Sequence, residues 1–243
     1  MNEVIRQLFE RKSVRSFEEK EISEKEKKAI LEAACMAPTA GNQQLYTILD
    51  ITDQELKNKL ADTCDHQPFI ADGKMVLIFC ADCQKWYDGF REAGCEPRNP
   101  GAGDLMLAVT DAVIAAQNAV VAAESLGIGS CYIGDVMENC EIHRETLHLP
   151  PYVFPAAMLV FGYPTKQQLD RPKPERVNSR HIVHENAYRH MDAQELKEMF
   201  GSKCGGKLYK EWMEAFCKRK YNSDFSKEMT RSVEVYFESF LKK

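Results

Sequence analysis

No stretch of this chain carries G-x-G-x-x-G at the start of a helix, which excludes a Rossmann dinucleotide site. G-x-x-x-x-G-K-[ST] is absent as well, and with it a Walker-type phosphate loop. Neither G-x-S-x-G nor H-E-x-x-H occurs, so neither a nucleophile elbow nor a zincin helix is expected. The single C-x-x-C, Cys80 to Cys83, is followed by Cys95 but by no second pair, and a zinc or cluster site needs a fourth ligand. A basic excess is missing: 32 Lys and Arg against 37 Asp and Glu give 32 − 37 = −5, so no nucleic-acid partner is expected. No cationic segment followed by an apolar run opens the chain, so no signal peptide is expected. Nine cysteines without an export signal read as reduced thiols in a cytoplasmic protein.

What is present is an ordinary globular composition, 44% hydrophobic and 28% charged over 243 residues. The longest apolar stretch, 105–123, is rich in alanine and interrupted by Asp111, Gln117 and Asn118. It reads as a buried core helix within 104–126, ended by Gly127 and Gly129, and no membrane span is expected. Apolar spacing predicts a helix over 4–9. The Ser23/Glu26 capping box opens another, which stops near Met36 because Pro38 disfavours helical geometry at Ala37. Thr52 and Glu55 form a second capping box. Strands are expected over 45–51, 74–81, 130–134 and 156–163. Residues 86–103, rich in glycine and proline, read as a loop, and three prolines exclude regular structure over 163–176. Residues 192–243 read as helical, with Phe225, Met229, Val233, Tyr236, Phe237 and Phe240 recurring every three to four positions.

Several constellations could carry chemistry. In RKSVRSF, Arg11, Ser13 and Arg15 alternate, so an extended backbone points all three one way, a good phosphate grip. The same residues also read as a solvated basic turn. APTAGNQQ offers Thr39, Asn42 and Gln44, whose groups both donate and accept and suit a heteroaromatic edge; an ordinary helix-ending loop is the bland alternative. GIGSCYIG at 127–134 lets backbone approach a flat ligand through its glycines. RPKPER sets Lys173 and Arg176 in a proline-stiffened segment. The basic run Lys218, Arg219 and Lys220 reads as a solvated helix face.

In order and spacing, RKSVRSF, APTAGNQQ, DAVIAAQNAVVAAESLGIGSCYIGD, RPKPER and HENAY resemble the FMN-dependent nitroreductase family, in its larger, NADPH-preferring branch. The resemblance implies an α+β sandwich with a central, mainly antiparallel sheet flanked by helices, in an intertwined homodimer. It implies a flavin-binding domain over 1–190 and a helical extension over 191–243 that packs on the core or partner. It further implies FMN-dependent NAD(P)H oxidoreduction of nitroaromatics, quinones or flavins by ping-pong hydride transfer. With the chemistry on FMN, no catalytic side chain is expected. Arg11, Ser13 and Arg15, with Lys12 in the same motif, would hold the FMN phosphate and ribityl chain. Thr39, Asn42 and Gln44 would approach the flavin, partly from the other subunit. Tyr132, Ile133 and Gly134 would lie beside its ring, and Lys173 and Arg176 would add a late pair of cations. Lys218, Arg219 and Lys220, if not simply solvated, would help bind the 2′-phosphate of NADPH. This chain departs from the family pattern in having Arg11 where His is common, Thr39 where Ser is usual, Leu45-Tyr46 in place of Pro-Trp, and KPER for KPR. A flavin-binding sensor, or another reaction such as reductive dehalogenation on the same fold, is the alternative. Its partners would be a second copy and a small-molecule electron acceptor.

Overall fold

Every residue of β2 (Met75–Asp82) and β4 (Val153–Gly162) is buried, and these two strands form the middle of a four-stranded sheet. β1 (Tyr46–Ile51) and β3 (Gly129–Ile133) complete it in the order β1-β2-β4-β3, with every pair antiparallel. Side chains alternate across the sheet. Leu77, Phe79 and Ala81 enter one core, and Val76, Ile78 and Cys80 enter another. A strand buried on both faces carries no polar alternation, which is why β2 reads as a continuous apolar run. The β2–β4 register shifts between Phe79 and Cys80, opposite Pro155, which has no N–H to give the ladder.

The computed structural model describes residues 1–241; the last two lysines of the expected helical extension lie outside the described residues. Two compact units are distinguished, one of residues 1–171 with the chain from Glu228 onward, the other of residues 172–227.

In the first unit, α5 (Ala102–Ser125) covers one face of the sheet. Ala108, Ala112, Ala115, Ala116 and Ala119 are fully buried, and their small side chains let the helix sit close. By length and composition α5 could cross a bilayer, yet 44% of its apolar window is buried inside this unit. α2 (Glu24–Cys35) packs beside it and carries the Ser23/Glu26 capping box. α3 (Gln54–Thr63) covers the second face through Leu60. Its cap is Asp53 rather than Thr52: Oδ1 accepts from Leu56 N at 2.7 Å. α1 (Glu3–Glu10) and α6 (Cys140–Thr146) lie outside the sheet. From Glu228 onward, α10 (Asp224–Leu241) adds Tyr236 and Phe240 to the first core.

Two segments expected to be irregular contain helices. α4 (Gln84–Glu92) starts just before 86–103 and runs into it, because the Asp82 carboxylate caps it, accepting from Gln84 N at 3.0 Å and Lys85 N at 3.2 Å. α7 (Lys166–Asp170) forms inside 163–176 because Pro164, Pro172 and Pro174 all fall outside it.

The second unit holds α8 (Ala193–Gly201) and α9 (Tyr209–Lys220). Asp192 and Glu195 form a capping box on α8. The Trp212 ring stacks on Phe216 at 4.9 Å and on Phe200 at 6.4 Å.

RKSVRSF runs extended along the free edge of β3. Ser13 bridges Ser130, Val14 N donates to Ser130 O at 3.0 Å, and Phe17 bridges Pro164. Val14 seats over Gly129 and Phe17 over Gly162. A Cβ on either glycine would lie 2.6 Å from the seated side chain. Gly129→Ala and Gly162→Ala are therefore each expected to cost about 1–3 kcal/mol in urea unfolding. Val14→Ala should recover part of the Gly129→Ala loss.

Candidate cofactor site

The segment on the sheet edge gathers its polar groups over one residue of β3. Cys131 is buried; the Ser13 hydroxyl hydrogen-bonds its thiol, and the charges of Arg15 and Arg11 both reach it. Burial outweighs them and pushes the thiol up. Arg11 is half-buried, and its Nε and Nη2 are sealed from solvent with no hydrogen-bond partner among the described residues. The Ser130 hydroxyl is buried and unpartnered in the same way. Buried guanidinium donors without acceptors are rare enough to ask for one. Arg15 is exposed, its guanidinium 5.8 Å above the Phe69 ring.

Lys12 is turned elsewhere. Its ammonium donates to the carbonyls of Leu169, at 2.7 Å, and Arg171. Arg171 answers by donating Nη2 to Ser13 O at 2.6 Å, while its Nε stays buried and unpartnered. In the first unit, therefore, the cation that RPKPER brings to the motif is its opening residue, which sequence reasoning passed over. Lys173 and Arg176 belong to the second unit. There Arg176 lines a polar cavity with Arg180, whose guanidinium is 2.9 Å from Glu198. Lys218, Arg219 and Lys220 form the last turn of α9, where positive charge complements the helix dipole.

The 37–44 loop is strained and held. Gly41, Asn42 and Gln44 all have positive φ, at 57°, 56° and 51°. Asp111, buried on α5, accepts from Ala40 N at 3.0 Å with one carboxylate oxygen and from Leu45 N at 3.1 Å with the other. Trp86 Nε1 donates to Gln43 O at 2.8 Å. Inside the loop, Thr39 Oγ1 accepts from Gln44 N at 2.7 Å, and Gln44 Nε2 donates to Cys35 O at 3.3 Å. Asn42 lies exposed.

At the end of β3, Tyr132 is half-buried, its hydroxyl donating to Gln117 Oε1 at 3.3 Å. Burial pushes its phenol up to about 12 against the pull of Arg11. Ile133 is buried, and Gly134 leads into a turn over Asp135–Met137. Gln67 Nε2 bridges to this turn, donating to Asp135 Oδ2 at 3.1 Å and Cys64 O at 2.8 Å. Beyond it, Glu138 is buried with an unpartnered Oε1. Burial, then the charges of Asp135, Asp65 and Glu228, push its carboxyl up to about 7.

Asp111, Trp86, Gln67 and Arg171 are the residues missed from sequence. Only Asp111 left a signal, as the one carboxylate within the apolar run 105–123. The buried Cys80 and Cys83 thiols are each pushed up to about 12 by burial, and among the described residues no three metal-ligating side chains come together.

Fold and geometry together define a class: an α+β sandwich with a cationic strand on the edge of its antiparallel sheet. The chain belongs to the nitroreductase family, whose model matches residues 8–163. It is 31% identical over 241 residues to "FMN reductase [NAD(P)H]" of Bacillus subtilis, spanning 98% of this chain and 92% of that one. The solved structure of NfrA1 from B. megaterium superposes with a TM-score of 0.83 at 30% identity, over 97% of this chain and 98% of that one. The NADPH:FMN oxidoreductase of Vibrio harveyi complexed with NAD+ has the same TM-score of 0.83 at 22% identity, over 97% and 98% of the two chains, and shows the shared fold.

Two outcomes follow. Asp111→Ala leaves the buried Leu45 N–H and the half-buried Ala40 N–H without this acceptor and is expected to cost about 2–4 kcal/mol in chemical unfolding. Glu138 makes stability depend on pH. The unfolded chain releases this proton near 4.5, whereas the folded chain keeps it to about 7. The stability held by the protonated carboxyl is complete below the first value and lost as pH rises through the second. Wild type should thus lose about 2–3 kcal/mol relative to Glu138→Gln between pH 4.5 and 7.

Proposed function

We propose that the chain is an FMN-dependent NAD(P)H oxidoreductase that reduces nitroaromatics, quinones or flavins. The observation that carries the reading is Arg11, whose buried Nε and Nη2 have no acceptor among the described residues. A phosphate supplies such acceptors, and Arg binds phosphate oxygens in bidentate fashion. The residues therefore fit FMN, which when bound supplies the hydride chemistry. The names of the curated relatives, FMN reductases using NAD(P)H or NADPH, support the same cofactor and donor.

In this reading Arg11, Ser13 and Arg15 hold the phosphate and ribityl chain. Lys12 and Arg171 act one step back, tying the strand to the turn at 169–171. Thr39, Asn42 and Gln44 line the ring from a loop held in shape by Asp111. Tyr132, Ile133 and Gly134 present backbone to the flat ring, and the half-buried Tyr132 keeps water from that side. Arg11 and Arg15 would keep the surroundings of the bound group positive. Lys173 and Arg176 enter the reading on the family motif alone.

The working form is a homodimer in the cytoplasm, turning over a small-molecule acceptor, with neither nucleic acid nor a membrane as partner. Support for a second copy comes from exposed apolar residues on two helices: Val4, Ile5 and Phe9 of α1, and Met106, Leu107 and Val113 of α5. Such surface calls for a partner. The division into a flavin-binding 1–190 and an extension packing on core or partner belongs to the same proposal.

Titration of the flavin-free protein with FMN, followed by quenching of flavin fluorescence, tests the reading. One FMN per chain is expected, weakened about 10- to 100-fold by Arg11→Ala with unchanged melting temperature. Equal affinity in the variant would remove Arg11 from the site.

A further inference from the structure

In a globular protein a helix draws most of its stability from a packed apolar face. α4 buries none of its residues, and its Trp86 and Phe90 rings, 5.5 Å apart, border an open cavity of about 250 Å³. Its hold on the chain at 43–47 is polar instead. The buried Asp82 carboxylate caps its first turn with one oxygen and accepts from Thr47 Oγ1 at 2.5 Å with the other. Lys85 Nζ donates to Tyr46 O at 2.6 Å, and Trp86 Nε1 donates to Gln43 O at 2.8 Å.

These bonds complete a set that begins on α5. With positive φ at Gly41, Asn42 and Gln44, the 37–44 loop cannot extend a regular ladder, so its main-chain groups need partners from elsewhere. Asp111 takes the N–H groups of Ala40 and Leu45. α4 gives to the carbonyls, to Gln43 through an indole and to Tyr46 through an ammonium. The loop is thus clasped between an acceptor on a buried helix and two donors on an exposed one. Gln43 joins Asn42 to Gln44, so the indole holds the chain between two of the three side chains read as cofactor contacts. Indole carries one N–H donor, and a phenyl ring carries none.

We propose that Trp86 is a positioning residue for the cofactor, its indole N–H holding Gln43 O so that Thr39, Asn42 and Gln44 stay in place to line the flavin ring. The positioning role rests on the flavin reading of this loop; the clasp itself does not.

Trp86→Phe keeps a ring on the cavity wall and removes the donor, whereas Phe90→Leu changes the same wall and leaves the donor. Amide hydrogen exchange over residues 39–46 is read in the flavin-free full chain, and FMN affinity by quenching of flavin fluorescence. Trp86→Phe is expected to exchange about three- to tenfold faster in this segment alone and to bind FMN about three- to tenfold more weakly, with unchanged melting temperature. Its bound flavin is expected to lose the resolved shoulder of the visible band, because a loosened loop admits water to the ring. Phe90→Leu is expected to change none of these. Should Trp86→Phe fail to fold, Lys85→Met, which removes the neighbouring donor, is read in its place against the same outcomes. Unchanged exchange over 39–46 would overturn the clasp and the proposal with it. Faster exchange with unchanged FMN affinity and spectrum would overturn the positioning role, and so would Phe90→Leu reproducing the effects. A wild-type chain that binds no FMN would remove the flavin reading and the positioning role together, while faster exchange in the variant would still show the clasp.

Discussion

Val14 and Phe17 reach the sheet because Gly129 and Gly162 present no side chain beneath them. That seating brings a strongly charged segment, RKSVRSF, onto the edge of a buried sheet. With Val14 turned inward, the residues on either side of it, Ser13 and Arg15, turn the other way, toward Cys131 with Arg11. A charged strand on a sheet edge also blunts edge-to-edge pairing. The gathering of these cations and the protection of β3 thus come from one packing event.

A second constraint operates from α5. An alanine-rich helix packs close to the sheet, and its one buried carboxylate, Asp111, serves the loop across from it rather than the core. Burying a charge is costly unless it is hydrogen-bonded. Two backbone N–H groups meet that need and hold three departures into positive φ, at Gly41, Asn42 and Gln44. Strain of this kind persists where surrounding structure imposes it, and it collects at functional sites. Trp86 ties the same loop to α4, so the loop, the aromatic helix and the long core helix form one supported assembly.

The strands, the long helix and the Ser23/Glu26 cap were legible because each is a local pattern of apolar spacing or capping chemistry. α4 was hidden by Gly89 and a dense mix of charges, and its cap, Asp82, lies at the end of the preceding strand. α7 was hidden by prolines that only border it. In the candidate site, Arg11, Ser13 and Arg15 could be named from their alternation. Asp111, Gln67 and Arg171 could not, because their partners lie 66 to 158 positions away along the chain and spacing says nothing of such contacts. Lys12 is the instructive case: its sequence context matches that of its neighbours, yet its ammonium serves two backbone carbonyls.

In the proposed function, this scaffold holds a flavin that a reduced nicotinamide can reach. Anaerobic stopped-flow of the FMN-loaded protein with NADPH, and then NADH, while following absorbance near 450 nm, tests it most directly. The account expects rapid bleaching by at least one of the two, and recovery of the absorbance on adding a quinone or nitroaromatic. A flavin that binds tightly yet keeps its absorbance for minutes with both nucleotides would contradict it.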